Sequence, residues 1–344
     1  MTSQHSQRKN EHVSLAEKFF DNHSKSGFDN VRFIHQSLPE INLNEIDLST
    51  NIQDLKLDFP FYIEAMTGGS DYTKKLNDKL SKVAKATGIA MATGSQSIAL
   101  KDSSTVESFA VARKNYDGPI FANIGASHNL SDAKKVIKMV NADALEIHIN
   151  VAQELIMPEG ERKFYWLDNI QNIVNNINIP VIVKEVGFGM AKETIQKLKS
   201  IGVKNINISG RGGTNFATIE NFRRHNKELN YLSTWGQTTV ESLLEAYSFS
   251  SDLSIISSGG IRNPLDIAKS IALGSNAVGM SGFILNSVIK NGIEETINQI
   301  NEFKNGLKII MTLLSCRTIY ELQQKKLVLD SKLVAYLQQR SLLY

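Results

Sequence analysis

The chain has 344 residues, 42% of them apolar, with 38 Lys plus Arg against 35 Asp plus Glu. Length alone allows two average domains or one large α/β barrel with extensions, and either buries a full core. The near balance of charge excludes a general nucleic-acid or membrane-surface binder while leaving room for a local basic cluster that holds phosphates.

Residues 1–58 carry mixed helix and loop signals and read as an N-terminal extension. Its first twelve residues, MTSQHSQRKNEH, lack the apolar segment of a secretory signal, and no uncharged apolar run approaches the ~18 residues of a membrane span. A soluble, cytoplasmic protein with no membrane partner is therefore expected. Within this extension RKNEH brings Arg8, Lys9 and His12 into about one turn of a helix. A solvated charged tail is the plainer reading of the same residues.

From Phe59 a short apolar run that ends in small or polar residues is followed by an amphipathic helical segment, and the unit recurs. The runs are FPFYIEAM from Phe59, GIAMATG from Gly88, PIFANIG from Pro119, DALEIHIN from Asp143, PVIVKEVG from Pro180, VKNINISG from Val203, LSIISSGG from Leu253 and SNAVGMSG from Ser275. Between them lie helical stretches such as TKKLNDKLSKVAKATG, where Leu76, Leu80, Val83 and Ala84 fall at helical spacing and Gly88 closes the helix. Strands this uniformly apolar belong to a parallel sheet covered by helices, and eight βα units close most economically into a (β/α)8 TIM barrel. An open doubly wound sheet is the alternative. The fold class is α/β, one domain, with a barrel core over 59–285 between N-terminal and C-terminal helical extensions, the latter at 286–344. A long, glycine-led loop between Arg211 and Asp252 reads as a mobile cover. The single cysteine, Cys316, excludes an internal disulfide framework and reads as a buried, inert thiol.

Active sites of such barrels gather where strands hand over to βα loops, and MTGG, GSQ, NIG, HIN, KEVGFG, SGRGGTN, SSGGIR and GMSG all stand there. SSGGIR and GMSG end strands seven and eight, where backbone N–H groups and a helix N-terminus hold a phosphate in many barrels. Lys184 lies inside an otherwise apolar strand, so its ammonium needs an anionic or electron-rich partner. Glu185 or another carboxylate is one such partner, although adjacent strand residues face opposite ways. The pyrimidine edge of a flavin is the other. HINVAQE sets His148 and Asn150 on one face with Gln153 and Glu154 following, which suits phosphate oxygens and a hydrated Mg2+ held by a single carboxylate. Clustered histidines and paired CxxC motifs are absent, so no zinc cage is expected.

Taken together, RKNEH, MTGG, GSQ, ANIG, HIN with AQELIMPEG, VIVKEVGFGM, SGRGGTNF, YLSTWGQTT, SSGGIR and GMSG resemble the type 2 isopentenyl-diphosphate isomerases over nearly the whole chain. The resemblance implies interconversion of isopentenyl and dimethylallyl diphosphate, a step of isoprenoid synthesis, with reduced FMN, Mg2+ and NAD(P)H as the flavin's reductant. It implies that Ala65, Met66 and Thr67 line the flavin with Ser95 and Asn123 beside it. Lys184, Ser209 and Thr214 would contact the flavin and its ribityl phosphate, and Gly259, Gly260, Met280 and Ser281 would complete the phosphate cradle. Arg8, Lys9, His148 and Gln153 correspond to substrate binders, with Gln153 assisting the chemistry, and Glu154 to the Mg2+ ligand. Ser97 stands where some relatives carry an arginine. Flavin N5, rather than a pair of carboxylates, would carry the acid–base step, and tetramers or octamers are implied. The competing readings are a redox enzyme on the same scaffold, such as a 2-hydroxy-acid oxidase, and a non-catalytic flavin- or phosphate-binding module.

Overall fold

Alternation along a strand sends one parity of side chains into a barrel and the other toward its helices. In the computed structural model, which describes residues 4–21, 23 and 25–344, eight strands realise that rule. They are β1 (Phe61–Ile63), β2 (Met91–Ala92), β3 (Ile120–Gly125), β4 (Ala144–His148), β5 (Val181–Lys184), β6 (Asn205–Asn207), β7 (Ser254–Ser258) and β8 (Ala277–Met280). Each falls within its expected run, neighbours pair in parallel, and β8 returns to β1 through Gly279 opposite Tyr62, closing the barrel. The open-sheet alternative is thereby excluded.

Two interior layers follow from the parity. Tyr62, Ala92, Phe121, Ala144, Ile182 and Ile256 form a lower apolar layer. Two residues further along the same strands come Glu64, Gly94, Asn123, Glu146, Lys184 and Ser258, so the barrel turns polar toward its C-terminal mouth. The floor is sealed by an antiparallel hairpin, Thr50–Ile52 with Leu55–Leu57, whose Ile52 and Leu57 join the apolar layer. Burying each contributes about 2 kcal/mol. Asn205 donates to the hairpin's Gln53 at 3.0 Å, holding plug to barrel. Three-residue strands are too short to show a period, which is why this stretch read as mixed helix and loop.

The outer layer also follows from local sequence. Helix Asp71–Thr87 begins at Ser70, whose hydroxyl accepts from the Thr73 N–H in a reciprocal capping box, and ends at Gly88 with φ 71°. Leu76, Leu80, Val83 and Ala84 are its buried face. One expectation is corrected: between Arg211 and Asp252 the chain forms helices Phe216–Arg223 and Thr239–Ala246, capped by Asn215 and Thr238. Side-chain caps make helical turns out of what read as an unstructured cover.

At the N-terminus, helix Gln4–Lys18 lies over the barrel mouth, with Val13 buried and the Asn10 amide oxygen accepting from Ser70 Oγ at 2.6 Å. At the other end, helix Gly292–Leu313 buries Ile300, Leu307 and Met311, and Leu327–Leu329 pairs antiparallel with Val31–Phe33. Cys316 is buried, and burial pushes its thiol up to about 11, as suits an unreactive cysteine. Among the described residues no helix is long and apolar enough to cross a membrane.

Ser70 both caps its helix and holds the N-terminal helix, so Ser70→Ala is expected to cost about 1 kcal/mol or slightly more. Chemical denaturation measures this; a midpoint unchanged from wild type contradicts it.

Candidate active site

The loops that follow the strands enclose a cavity of about 340 Å³ at the polar mouth. A second chamber of about 320 Å³ adjoins it, with Thr214, Gly259 and Ser281 in the wall of both. Ala65, Met66, Ser95, Asn123, Lys184 and Ser209 line the first, together with Arg8, Lys9, His148, Gln153 and Glu154. Gly260 and Met280 line the second. Thr67 lines neither: its hydroxyl bonds Asn77, and its carbonyl accepts from the Gly94 N–H at 2.8 Å, so it braces the wall from behind.

The second chamber is shaped for an anion. Gly259 has φ 103°, and a Cβ there would stand 2.0 Å from the Gly210 carbonyl. A Cβ on Gly213 would stand 2.9 Å from the Gly260 nitrogen. Only glycine allows backbone to converge this closely. Helix Gly282–Lys290 starts in the same wall, with Ser281, Gly282 and Phe283 lining the chamber, and the first N–H groups of a helix have no partner within it. Ser209, with φ 24°, holds a strained backbone in the wall of the first cavity.

Below the first cavity lies a charge cluster that sequence reading missed. Lys184 Nζ stands 3.0 Å from Glu64 Oε1 and 4.0 Å from Glu146 Oε2. The Tyr62 hydroxyl donates to Glu64 at 2.9 Å and lies 3.2 Å from the protonated Glu146, from which its oxygen accepts, and Asn207 donates to Glu64 at 2.5 Å. Glu185 points the other way, its carboxylate accepting from the N–H groups of Val186, Gly187 and Phe188. Lys184 thus has carboxylate partners, but from β1 and β4. Parity was the available signal: Glu64 shares it with Tyr62, and Glu146 with His148. Burial opposes ionisation of Glu64, yet Lys184 and the Ala65 N–H hold it below the usual carboxylate range. For Glu146, burial and the Glu64 charge win over Lys184 and push it up to about 8.

At the outer wall, helix Gln4–Lys18 delivers cations. Lys9 makes no ion pair among the described residues, and burial with the neighbouring Arg8 charge pulls it down to about 8. Arg8 Nη1 is 3.8 Å from Glu159, while its Nε is buried without a partner. His12 instead meets the buried Glu220 at 3.0 Å. Gln153 donates to Glu220 at 3.0 Å and accepts from Asn150 at 3.2 Å, so its amide is fixed at both ends. The Glu154 carboxylate accepts from Asn150 at 2.9 Å and from the Glu161 N–H at 2.7 Å. No three His, Cys, Asp or Glu side chains among the described residues converge as a metal cage. Ser97 bonds Ser95 at 2.9 Å, and Lys101, four residues on, lines the same cavity.

The raised Glu146 gives a pH dependence. Its folded state keeps a proton that the unfolded chain releases near 4.5, so its contribution to stability is full below that pH and lost as pH rises toward about 8. Glu185, raised to about 7 by burial, acts in the same direction. Stability is therefore expected to fall between pH 6.5 and 8, and Glu146→Gln, a permanently neutral mimic, should flatten that slope. Parallel urea midpoints for variant and wild type across the interval would remove the buried carboxylic acid from the account.

A family model described as FMN-dependent dehydrogenase matches residues 123–329. In solved structures the fold resembles the flavin-binding domain of baker's yeast flavocytochrome b2 (TM-score 0.65, 17% identity, 95% of this chain and 92% of that one). It also resembles a mandelate oxidase variant (TM-score 0.62, 15% identity, 93% and 92%). At such identities these likenesses establish the barrel and no more. In sequence the chain is 54% identical over 338 residues to the isopentenyl-diphosphate delta-isomerase of Latilactobacillus sakei subsp. sakei, covering 98% of this chain and 97% of the relative. It is 50% identical over 341 residues to that of Staphylococcus haemolyticus, with the same coverage. With cations at the mouth, an anion-shaped second chamber and this similarity along its length, the chain belongs to the FMN-dependent, type 2 isopentenyl-diphosphate delta-isomerase family.

Proposed function

We propose that this chain is an isopentenyl-diphosphate isomerase whose cavity holds FMN and a diphosphate ester. The observation that carries the reading is Lys9: a half-buried ammonium beside Arg8 that lines the cavity with no carboxylate partner among the described residues is completed by an anionic ligand. Arg8, Lys9, His148 and Gln153 would bind the diphosphate, and Glu154 would hold a hydrated Mg2+ whose other ligands are phosphate and water oxygens. The glycine-walled chamber would take the cofactor's phosphate at Thr214, Gly259, Gly260, Met280 and Ser281. The flavin ring would meet Ala65, Met66, Ser95, Asn123, Lys184 and Ser209, with Thr67 supporting the wall behind. Reduced flavin, when bound, supplies an electron-rich surface able to exchange a proton.

The reaction adds a proton at one alkene carbon and removes another from an allylic carbon, with no net electron transfer. The residues described bind and orient. Lys184 keeps a positive charge beneath the ring site, and the N-terminal helix over the mouth would close the cavity on the diphosphate and shield a cation-like alkene from water. NAD(P)H would serve only to keep the flavin reduced. Exposed Leu155, Tyr165 and Leu167 offer apolar surface for a homotetramer or homooctamer, and the proposed compartment is the cytoplasm.

The reading is tested anaerobically. Enzyme reduced once with dithionite should convert isopentenyl to dimethylallyl diphosphate over many turnovers, with solvent deuterium entering the product. One reductant consumed per product, or an oxidised product, would instead make the chain a dehydrogenase like its structural neighbours.

Glu154→Gln should remove Mg2+ dependence and most turnover while FMN stays bound, because the carboxylate lies on the substrate side of the cavity. Equal loss of FMN affinity, measured by flavin fluorescence on titration, would move Glu154 out of the metal role.

A further inference from the structure

The buried cluster reaches the cavity through one amide. Asn123 Nδ2 donates to Glu146 Oε2 at 2.8 Å, and Asn123 Oδ1 lies 2.9 Å from His148 Nδ1. Tyr62 has one hydrogen and gives it to the ionised Glu64, so the Glu146 proton lies on Oε1 toward the Tyr62 oxygen, and Oε2 stays an acceptor that fixes which way the amide faces. Its oxygen has no hydrogen to give, so the hydrogen in the second contact belongs to His148 Nδ1. The ring is neutral, since burial together with Lys184, Lys9 and His128 pulls it down to about 3. A neutral imidazole with hydrogen on Nδ1 has none on Nε2. That nitrogen lies at the cavity wall beside Gly125, where a Cβ would be 3.2 Å from it. The groups facing the ring are Lys184 from β5, Lys9 from the N-terminal helix and His128 from the loop after β3, with Asn123 from β3 in contact. None of them is a carboxylate that would draw a second proton onto the imidazole.

We infer that Glu146 is a positioning residue: without reaching the cavity, it sets through Asn123 the tautomer of His148, so that the site meets a lone pair at Nε2 and not an N–H. The inference deepens the isomerase reading and rests on it only in its consequence for substrate. A diphosphate oxygen docked at Nε2 must bring or recruit the hydrogen that joins them. Lys9 and Arg8 supply fixed positive charge, whereas His148 discriminates by hydrogen-bond polarity.

The test uses holoenzyme labelled with 15N-histidine, the His148 ring signals being assigned by their loss in His148→Gln. Wild type should show a hydrogen-bearing Nδ1 and a bare Nε2, unchanged between pH 6 and 8. Glu146→Leu removes the acceptor and frees the amide to turn, so mixed tautomers are expected, with a KM for isopentenyl diphosphate lowered several-fold, because Nε2–H can then donate to the diphosphate, and unchanged FMN content. Glu146→Gln, whose amide oxygen still accepts from Asn123, should restore the wild-type tautomer. Hydrogen on Nε2 in the wild type overturns the inference with no variant needed, and so does a Glu146→Leu protein with the wild-type tautomer or KM. Failure to turn over isopentenyl diphosphate in a protein with the expected tautomer strikes the isomerase reading alone.

Discussion

Everything at the mouth of this barrel depends on one buried cation. Lys184 sits in an interior too dry for a free ammonium, and Glu64 answers it from the opposite side of the closed barrel. Two carboxylates around one cation are one negative charge too many, and the protein resolves the excess by keeping Glu146 protonated at neutral pH. Tyr62, Asn123 and Asn207 then satisfy the remaining oxygens. The cluster is a charge-balanced platform, and what is laid on it experiences a fixed field without the reorganisation that water would need.

The barrel was legible in the sequence because eight apolar runs each ended in glycine or small polar residues, and each run formed its strand. Helix Asp71–Thr87 was equally legible, its apolar spacing and closing Gly88 being local properties. The floor hairpin was not, since its strands are shorter than any period they could display. Nor were the helices between Arg211 and Asp252, whose caps Asn215 and Thr238 stand in a segment with a glycine-rich start.

Site residues divide along the same line. Glycines of the phosphate chamber and the HIN run announce themselves as motifs at strand ends. Glu64 and Glu146 do not, because a lone acid in an apolar strand shows its partner only when the barrel closes and brings β1, β4 and β5 around one point. RKNEH was ambiguous for the opposite reason: nothing in a terminal segment says what it will rest on. Val13 and Asn10 answer that by docking the helix on the mouth.

The pairing of Val31–Phe33 with Leu327–Leu329 has a bearing on how the molecule is made. A chain leaving the ribosome could complete every barrel strand, through Met280, and still lack the partner of its own beginning. The two ends are joined by the longest loop closure in the fold, which carries the largest entropic cost and offers few local contacts to offset it. Synthesis therefore delivers every barrel strand before it delivers the partner of Val31–Phe33, and that pairing is the last to form as the nascent protein is released.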